Sequence, residues 1–547
     1  MELCPVEKNS EYEIEITDIG NDGEGIGKYA GFTIFVNNVL PAEKVKVKIV
    51  KVKKNFAYGK VIEYIIKSEN RTEPFCNVAN RCGGCTLQHL KYPAQLEFKR
   101  KKVYDALTRI GGFENPDVKK CIGMENPYNY RNKAQYPVGQ ADGKLKIGFY
   151  AKRSHEIIDS QNCEIQHEEN SEITDIIRRF MVTEKIQAYD EITGKGLVRH
   201  IMIRTGFHTG EKLVCIVING KRLPKAEKLV EMLINVKGIT GIVLNENTEN
   251  TNVILGKTNI VLWGRDFITD YIGDIKFNIS VHSFFQVNPV QTKVLYETAL
   301  EYADIGQNDR VLDLYCGIGT ISLFMAKRAK KVIGVEIVSQ AIEDAQKNAE
   351  LNGITNTEFI CAPAEKAAEK IYDSGFTADV IVVDPPRKGC EKSVLDTILK
   401  FLPKKVVYVS CDPATLARDL KVLCEKKYTA EKIQPVDQFC FSTHVETVVL
   451  LSKLNAKEHI TVDLDMSELD VTAAESKATY DEIKAYVQEK NGLKVSSLYI
   501  SQVKRKLGLE VGESFNLPKS ENANVPQCPR EKEKAITDAL RHFKMLP

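Results

Sequence analysis

The stretch VLDLYCGIGT, residues 311–320, decides how this chain is read. A short apolar run breaks into Gly317-Ile318-Gly319 and then into the helical pattern TISLFMAKRA. Two closely spaced glycines between a strand and a helix make a tight turn. Its backbone N–H groups can approach a bound nucleoside, with the helix N-terminus behind them. From about 281 to 455 the pattern repeats, with KKVIGVEI, TEFICA, DVIVVDPP and KVVYVSCD separated by helical runs. Short β-branched runs alternating with helices predict an α/β fold, a parallel sheet covered on both faces that binds ligands beyond the carboxyl ends of its strands. Glu336 ends the strand after the glycine turn, where a carboxylate can hold ribose hydroxyls. Ser322 stands where a third glycine would complete G-x-G-x-x-G, which disfavours a dinucleotide dehydrogenase.

Around this segment lies a chain of 547 residues, too long for a single core. Hydrophobic content of 43% and charged content of 27% exclude wholesale disorder. No apolar stretch is long enough to span a bilayer, and the acidic start MELCPVEKNSEYEIE is unlike a signal peptide, so a cytoplasmic protein with no membrane partner is expected. Fourteen cysteines are too few for a disulfide scaffold and read as thiols, metal ligands or nucleophiles. A net charge of +2 predicts no polyanion partner by itself, so the patches matter.

Residues 8–67 alternate as short strands around the glycine-rich turn NDGEGIG, a pattern that suits a five-stranded OB-like β-barrel. Seven lysines (Lys44, Lys46, Lys48, Lys51, Lys53, Lys54 and Lys60) with Phe56 and Tyr58 form a basic, aromatic stripe of the kind that binds nucleic acid. Then come Cys76, Cys82 and Cys85, spaced C-x5-C-x2-C, with Cys163 further on. Three thiols in ten residues point to a metal, and four suit either structural zinc or an iron–sulfur cluster. A basic helix over YPAQLEFKRKKVYDALTRIGG follows, ending on a glycine cap, and with Arg131 and Lys133 it offers phosphate contacts to RNA. The predicted domains are a barrel over 1–68, a central α+β domain over 69–280, the α/β domain over 281–455, and an acidic linker with a helical appendage over 456–547. In the appendage, Thr479 and Glu482 form a capping box and Ser496/Ser497 open a second helix, a helix-turn-helix-like pair whose role stays open.

Two further strand ends carry chemistry. Asp384, in VVDPPRKG, can face both a cofactor and a substrate base; Arg387 stands where amino-methylating enzymes place an aromatic residue. Cys411, in VSCDP, leaves a strand at the same edge of the sheet. Methyl transfer to nitrogen needs no cysteine, but C5 of uracil is a poor nucleophile until a thiolate adds at C6. The C5 proton then needs a base, for which Glu446 in FSTHVET is placed; His444 is the alternative and Asp437 reads as structural.

The glycine turn with GVE looks like the pocket of S-adenosylmethionine-dependent methyltransferases, and the barrel resembles a TRAM domain, an RNA-binding module. FFQVN (284–288), LDLYCGIGT, GVE, VDPPRKG, VSCDP and HVET, in this order, resemble the tRNA/rRNA (uracil-5-)-methyltransferase family over about 1–455. The resemblance implies a Rossmann-like class I methyltransferase domain. It also implies Cys411 as nucleophile, Glu446 as base, and Gln286, Tyr315, Glu336 and Asp384 as contacts to S-adenosylmethionine. It favours a 4Fe-4S cluster on Cys76, Cys82, Cys85 and Cys163, with zinc as the alternative. A barrel joined to such a cluster is typical of members acting on large-subunit rRNA, so the expected partner is 23S rRNA, methylated by a monomer at one or two uridines. The alternatives are the same reaction on tRNA and a non-enzymatic RNA-binding iron–sulfur protein. Asp412 departs from the family, where many members have Asn. A carboxylate there would hinder thiolate formation unless it points away.

Overall fold

In the computed structural model, residues 4–141, 143–454, 479–509, 527–543 and 545–546 are described. They fall into two units, Met1–Asn455 and Ala456–Pro547.

At the centre of the first unit is the strand Arg310–Leu314, paired in parallel with Lys331–Glu336 on one side and Val380–Val383 on the other. Thr357–Cys361 and Lys405–Ser410 extend the parallel set at either end. The last strand, Glu446–Lys453, inserts antiparallel between Lys405–Ser410 and the edge strand Tyr428–Val436, completing a seven-stranded sheet. Side chains alternate between faces along a strand. Val311, Val382, Val407 and Val448 therefore enter one core, and Leu312, Ile381, Val406 and Val449 the other. Both faces are apolar, which is why these segments read as unbroken hydrophobic runs.

The first face packs against the helix Pro289–Ala303, the hairpin Phe267–Ile272/Ile275–Ser280, and residues Met202, Leu213 and Val217 of a second sheet. That sheet also has seven strands, ordered Thr258–Gly264, Ile239–Glu246, Lys212–Ile218, Val198–Thr205, Lys133–Ala141, Lys144–Tyr150 and Ile157–Asp159. Its other face is covered by the helices Asn170–Thr183 and Ala226–Leu233. Every residue of Val198–Thr205 and Lys212–Ile218 is buried, because these strands are covered on both sides.

The N-terminal strands Glu11–Ile19, Gly25–Tyr29, Phe32–Val36, Lys44–Val52 and Phe56–Ile66 close into a barrel around Ile14, Ile16, Ile34, Val45 and Val47. The lysine stripe is only partly free. Lys44 pairs with Glu13 and Lys46 with Glu11 across neighbouring strands, each at 2.9 Å, so the basic surface contracts toward Lys48, Lys51, Lys53, Lys54 and Lys60.

The basic helix Tyr92–Ala106 corrects a sequence expectation, because much of its charge is turned inward or paired within the protein. Lys99 is fully buried and forms an ion pair with Asp437, also fully buried. Tyr92 donates to the second Asp437 oxygen at 2.7 Å, and Lys99 donates to the Phe439 carbonyl at 2.9 Å. Arg100 pairs with Glu97, Lys101 with Asp18 and Asp105, and Lys102 donates to the Thr443 carbonyl. The helix thus clamps the segment 437–445 that leads into the last strand.

In the second unit the capping box of Thr479 and Glu482 opens Tyr480–Asn491, and Ser496 caps Ser497–Lys506. A third helix, Arg530–His542, completes the core with Ile536, Ala539 and Leu540 against Ile483, Val487 and Ile500. The acidic linker expected over 456–480 lies, save its last two residues, outside the described residues.

A buried charge without its partner is strongly destabilising. Asp437→Ala is expected to cost about 3–5 kcal/mol, whereas Lys99→Met combined with Asp437→Leu should recover most of that loss; thermal unfolding of the two variants beside the native chain measures both.

Candidate active site

The parallel strands end at one edge of the sheet, and a cleft of about 1000 Å³ opens there, lined by Gln286, Tyr315, Glu336, Asp384, Cys411 and Glu446 among others. The structure therefore brings together all six residues expected from sequence for cofactor and chemistry. Glu446 reaches this edge because its strand runs backward. Ser410 pairs with Thr447 at the end of the ladder, which brings Cys411, the next residue after its strand, to the same cleft as Glu446, the first residue of the neighbouring strand.

The nucleoside end of the cleft is built from backbone. Tyr315 adopts a left-handed conformation at φ 71°, rare for a residue with a side chain, and Gly317 and Gly319 follow at φ 55° and 80°. A Cβ on Gly317 would meet no protein atom within 4 Å, so the cradle is open at this point. The Glu336 carboxylate accepts from the backbone N–H groups of Gly317, Ile337 and Val338 at 2.9–3.2 Å, which fixes it beside the turn. Ser322 donates to the buried Asp313 carboxylate at 2.5 Å, which explains a hydroxyl where the glycine pattern lapses. Gln286 is held from behind, its carbonyl accepting from Asn132 at 3.0 Å. An open cradle beside a fixed carboxylate fits an adenosine-bearing cofactor.

At the reacting end, burial raises every acid. Glu446 is 3% exposed, and its carboxyl is pushed up to about 8 by burial and by the charge of Asp384. Asp384 is itself raised to about 7 by burial. The Cys411 thiol is pushed up to about 12, first by burial and then by the Glu446 and Asp384 carboxylates. Arg387 opposes this, drawing down both Cys411 and Glu446, a role that sequence did not reveal. Asp412 is engaged as the N-cap of the helix Pro413–Cys424, accepting from Ala414 and Thr415, yet its charge still adds, as the smallest of the causes, to the rise of the Cys411 thiol. This helix begins beside Cys411, where its N-terminal dipole favours a thiolate. Desolvation and the charges of Arg387, Lys102 and Lys99 hold His444 down to about 4, a far weaker base than Glu446.

Arg131 and Lys133 do not line this cleft. Arg131 borders a separate cavity, and Lys133 is half-buried, its ammonium pushed down to about 8 by burial and by Arg204 and Arg131. The separate cavity, of about 220 Å³, is lined by Cys76, Cys82, Cys85 and Cys163. Burial raises Cys85 to about 12 and Cys163 to about 11. Among the described residues, no three His, Cys, Asp or Glu side chains are arranged as the ligand shell of a single ion. No described helix is long and apolar enough to cross a membrane.

Residues 91–454 match the tRNA (Uracil-5-)-methyltransferase family and residues 5–62 match the TRAM domain. The chain belongs to the tRNA (uracil-5-)-methyltransferase family. It is 52% identical over 456 residues to an uncharacterized RNA methyltransferase of Clostridium acetobutylicum, covering 83% of this chain and 99% of the relative. An uncharacterized RNA methyltransferase of Halalkalibacterium halodurans is 49% identical over 453 residues, 83% of this chain and 99% of its own. Among solved structures, the Pyrococcus abyssi tRNA (uracil-54, C5)-methyltransferase in complex with S-adenosyl-L-homocysteine aligns with a TM-score of 0.65 at 28% identity, over 80% of this chain and all of that one. Fold and family together make this an S-adenosylmethionine-dependent RNA methyltransferase with an RNA-binding barrel.

The electrostatics of the cleft make a stability prediction. Folding raises the Glu446 pKa from 4.5 to about 8, so it contributes a penalty that is absent below pH 4.5, grows as pH rises and is complete above about pH 8. Glu446→Gln should therefore melt higher than the native protein, with a gap that widens from pH 5 to about pH 8; a melting midpoint that is lower, or a gap that does not grow, would contradict the assigned burial.

Proposed function

We propose that this protein methylates C5 of uridine in 23S rRNA, with Cys411 as nucleophile and Glu446 as general base, as a monomer in the cytoplasm. The observation that carries the reading is a cysteine just past the end of one strand and a buried, protonatable carboxylate at the start of its neighbour, lining one cleft and close enough for the carboxylate to raise the thiol. Gln286, Tyr315, Glu336 and Asp384 would hold S-adenosylmethionine, which supplies the methyl group as an electrophile.

Cys411 adds as a thiolate to C6 of the uracil, and the displaced electron pair makes C5 nucleophilic, with negative charge spread to O4. Arg387 and the N-terminus of the Pro413–Cys424 helix favour the thiolate, which the two carboxylates oppose. Once C5 carries the methyl group, Glu446 takes its proton, the C5=C6 bond re-forms and Cys411 leaves. Raised to about 8, Glu446 is a stronger base than an ordinary carboxylate, matched to accept a proton from carbon once ionised as pH nears 8. His444, held near 4, is not.

Four thiols on one cavity support a 4Fe-4S cluster. A single zinc would draw its four sulfurs to within about 4 Å of one another, and a cavity of about 220 Å³ is generous for that. Such a cluster would fasten the 76–85 loop to the 163 segment. The joining of a barrel to a cysteine cluster supports a large folded RNA. The tRNA-acting structure that aligns over 80% of the chain makes tRNA the second reading.

Three measurements test the proposal. With unmodified 23S rRNA and tRNA transcripts and labelled methyl donor, the native protein should yield 5-methyluridine from rRNA, and Cys411→Ala should lower the rate by at least about 10³-fold. Product on tRNA alone would replace the substrate, and product made by Cys411→Ala would remove the nucleophile. The value of kcat/KM should rise with pH through about 8 as Glu446 becomes a carboxylate, and Glu446→Asp, which keeps a titrating carboxyl, should retain a rising limb at much reduced rate. Protein purified without oxygen should contain iron and acid-labile sulfide in equal amounts, and Cys163→Ser should lose both; zinc without sulfide would identify the other metal.

A further inference from the structure

The segment 437–445, which delivers Glu446, is fixed at its start by the buried pair of Lys99 and Asp437, but Glu446 stands just past its far end. Its middle is held by the end of the cysteine loop, where the backbone N–H groups of Thr86 and Leu87 both donate to the Phe441 carbonyl, at 2.9 and 3.0 Å. Past Phe441 the hold changes. The Ser442 hydroxyl donates to the Phe439 carbonyl at 2.8 Å and accepts from the His444 N–H at 3.3 Å, both within the segment. Lys102 donates to the Thr443 carbonyl at 3.0 Å, and among the described residues it is the one side chain from outside the segment that bonds to residues 442–445.

The same ammonium reaches the barrel. It donates to the Asn21 carbonyl, in the NDGEGIG turn, at 3.4 Å. Burial and Lys99 pull its pKa below the usual lysine value, against the pull of Asp412 and of Asp22 in that turn. The turn also packs directly on the segment: Gly23 has φ 85°, and a Cβ on it would stand 3.2 Å from Thr443 Cγ2. Arg153 pairs with Asp22 at 2.8 Å and Lys101 with Asp18 at 3.0 Å, so the turn and the strand before it are tied to the rest of the first unit. The barrel thus meets the approach to Glu446 through one ammonium and one closely packed glycine.

Only His444 and Val445 separate Thr443 from Glu446. A general base must stand within hydrogen-bond reach of the proton it takes, and a misplacement of about 1 Å can cost about 10²-fold in rate.

We propose that Lys102 is a positioning residue for Glu446, and that through it the barrel turn helps to set the catalytic base, a role separate from any contact between the barrel and RNA. The inference rests on the reading of Glu446 as the base. In the step concerned, Glu446 takes the C5 proton, the C–H electron pair re-forms C5=C6, and the C6–S bond breaks to return Cys411 as a thiolate. Thiolate addition and methyl transfer come earlier and do not use the base. A displaced Glu446 therefore leaves methylated RNA bonded to Cys411.

The test uses the full chain, methyl donor, and the unmodified transcript, 23S rRNA or tRNA, that the native protein methylates. Lys102→Met keeps the apolar stem and removes the ammonium. It should lower kcat about tenfold, leave KM for RNA within about twofold, and accumulate the same covalent methylated adduct as Glu446→Gln. Lys102→Arg, which keeps a cation with N–H donors, should restore most of kcat and clear the adduct. Gly23→Ala, made on the barrel, should move kcat and adduct in the same direction as Lys102→Met, and it carries the test if Lys102→Met does not fold. Native kcat in both Lys102→Met and Gly23→Ala would overturn the positioning role. So would a loss confined to KM, the mark of an RNA contact, or slower turnover without adduct, the mark of a general loss of folded protein. No adduct from Glu446→Gln itself would instead remove the reading of Glu446 on which the inference rests.

Discussion

The site depends on one strand running against its neighbours. Glu446–Lys453 inserts antiparallel into an otherwise parallel run, so its first residue arrives at the edge where the parallel strands end. The Ser410–Thr447 pairing then brings Cys411 to the same cleft as Glu446. Side chains alternate along a strand, so a one-residue slip would turn Glu446 to the opposite face. The approach to this strand is fixed from outside the sheet. Lys99 and Tyr92 hold Asp437, Gln291 donates to the Asp437 carbonyl, and Asn288 donates to the carbonyl of Gln438. These contacts tie the start of the 437–445 segment both to the helix after the cysteines and to the segment carrying Gln286.

That geometry has an electrostatic consequence. Asp384, Glu446 and Cys411 share one cleft, and burial makes each hold its proton more tightly than it would in solution. Like charges crowded together resist ionising together. The fold therefore keeps reactive groups in place at some cost to its own stability, which is the usual balance at a catalytic centre. Arg387 is the cation that moderates both the thiol and the base.

Much of this was legible in the sequence because it is local. The glycine turn, the apolar strands, DPP, SCDP and the capping box of Thr479 are short patterns whose physics lies within a few residues, and the alternation of residues 8–67 predicted a closed barrel. What the sequence hid is long-range. Lys99 and Asp437 are 338 positions apart, and nothing near Lys99 marks it as buried rather than as one more cation on a basic helix. Glu11 and Glu13 neutralise part of the lysine stripe only because the barrel pairs their strand with Lys44–Val52. Arg131 and Lys133 look like RNA contacts in a basic stretch, yet one borders the cysteine cavity and the other is half-buried beside Arg204. The third helix of the C-terminal unit had a readable signal, the amphipathic run Ala535, Ile536, Ala539 and Leu540 after Pro529, that the two-helix reading passed over. The curated relatives named above are covered almost entirely by 83% of this chain, so its RNA-methyltransferase part accounts for their whole length.

The central claim is that Cys411 bonds to the base and Glu446 releases it. The most direct measurement mixes Glu446→Gln with unmodified RNA and methyl donor, then resolves the products by denaturing electrophoresis and mass spectrometry. The account predicts a covalent protein–RNA adduct that carries the new methyl group, linked through the peptide containing Cys411, and no adduct when Cys411 is also replaced by Ala. Free methylated RNA without an adduct from Glu446→Gln, or an adduct that survives the loss of Cys411, would contradict it.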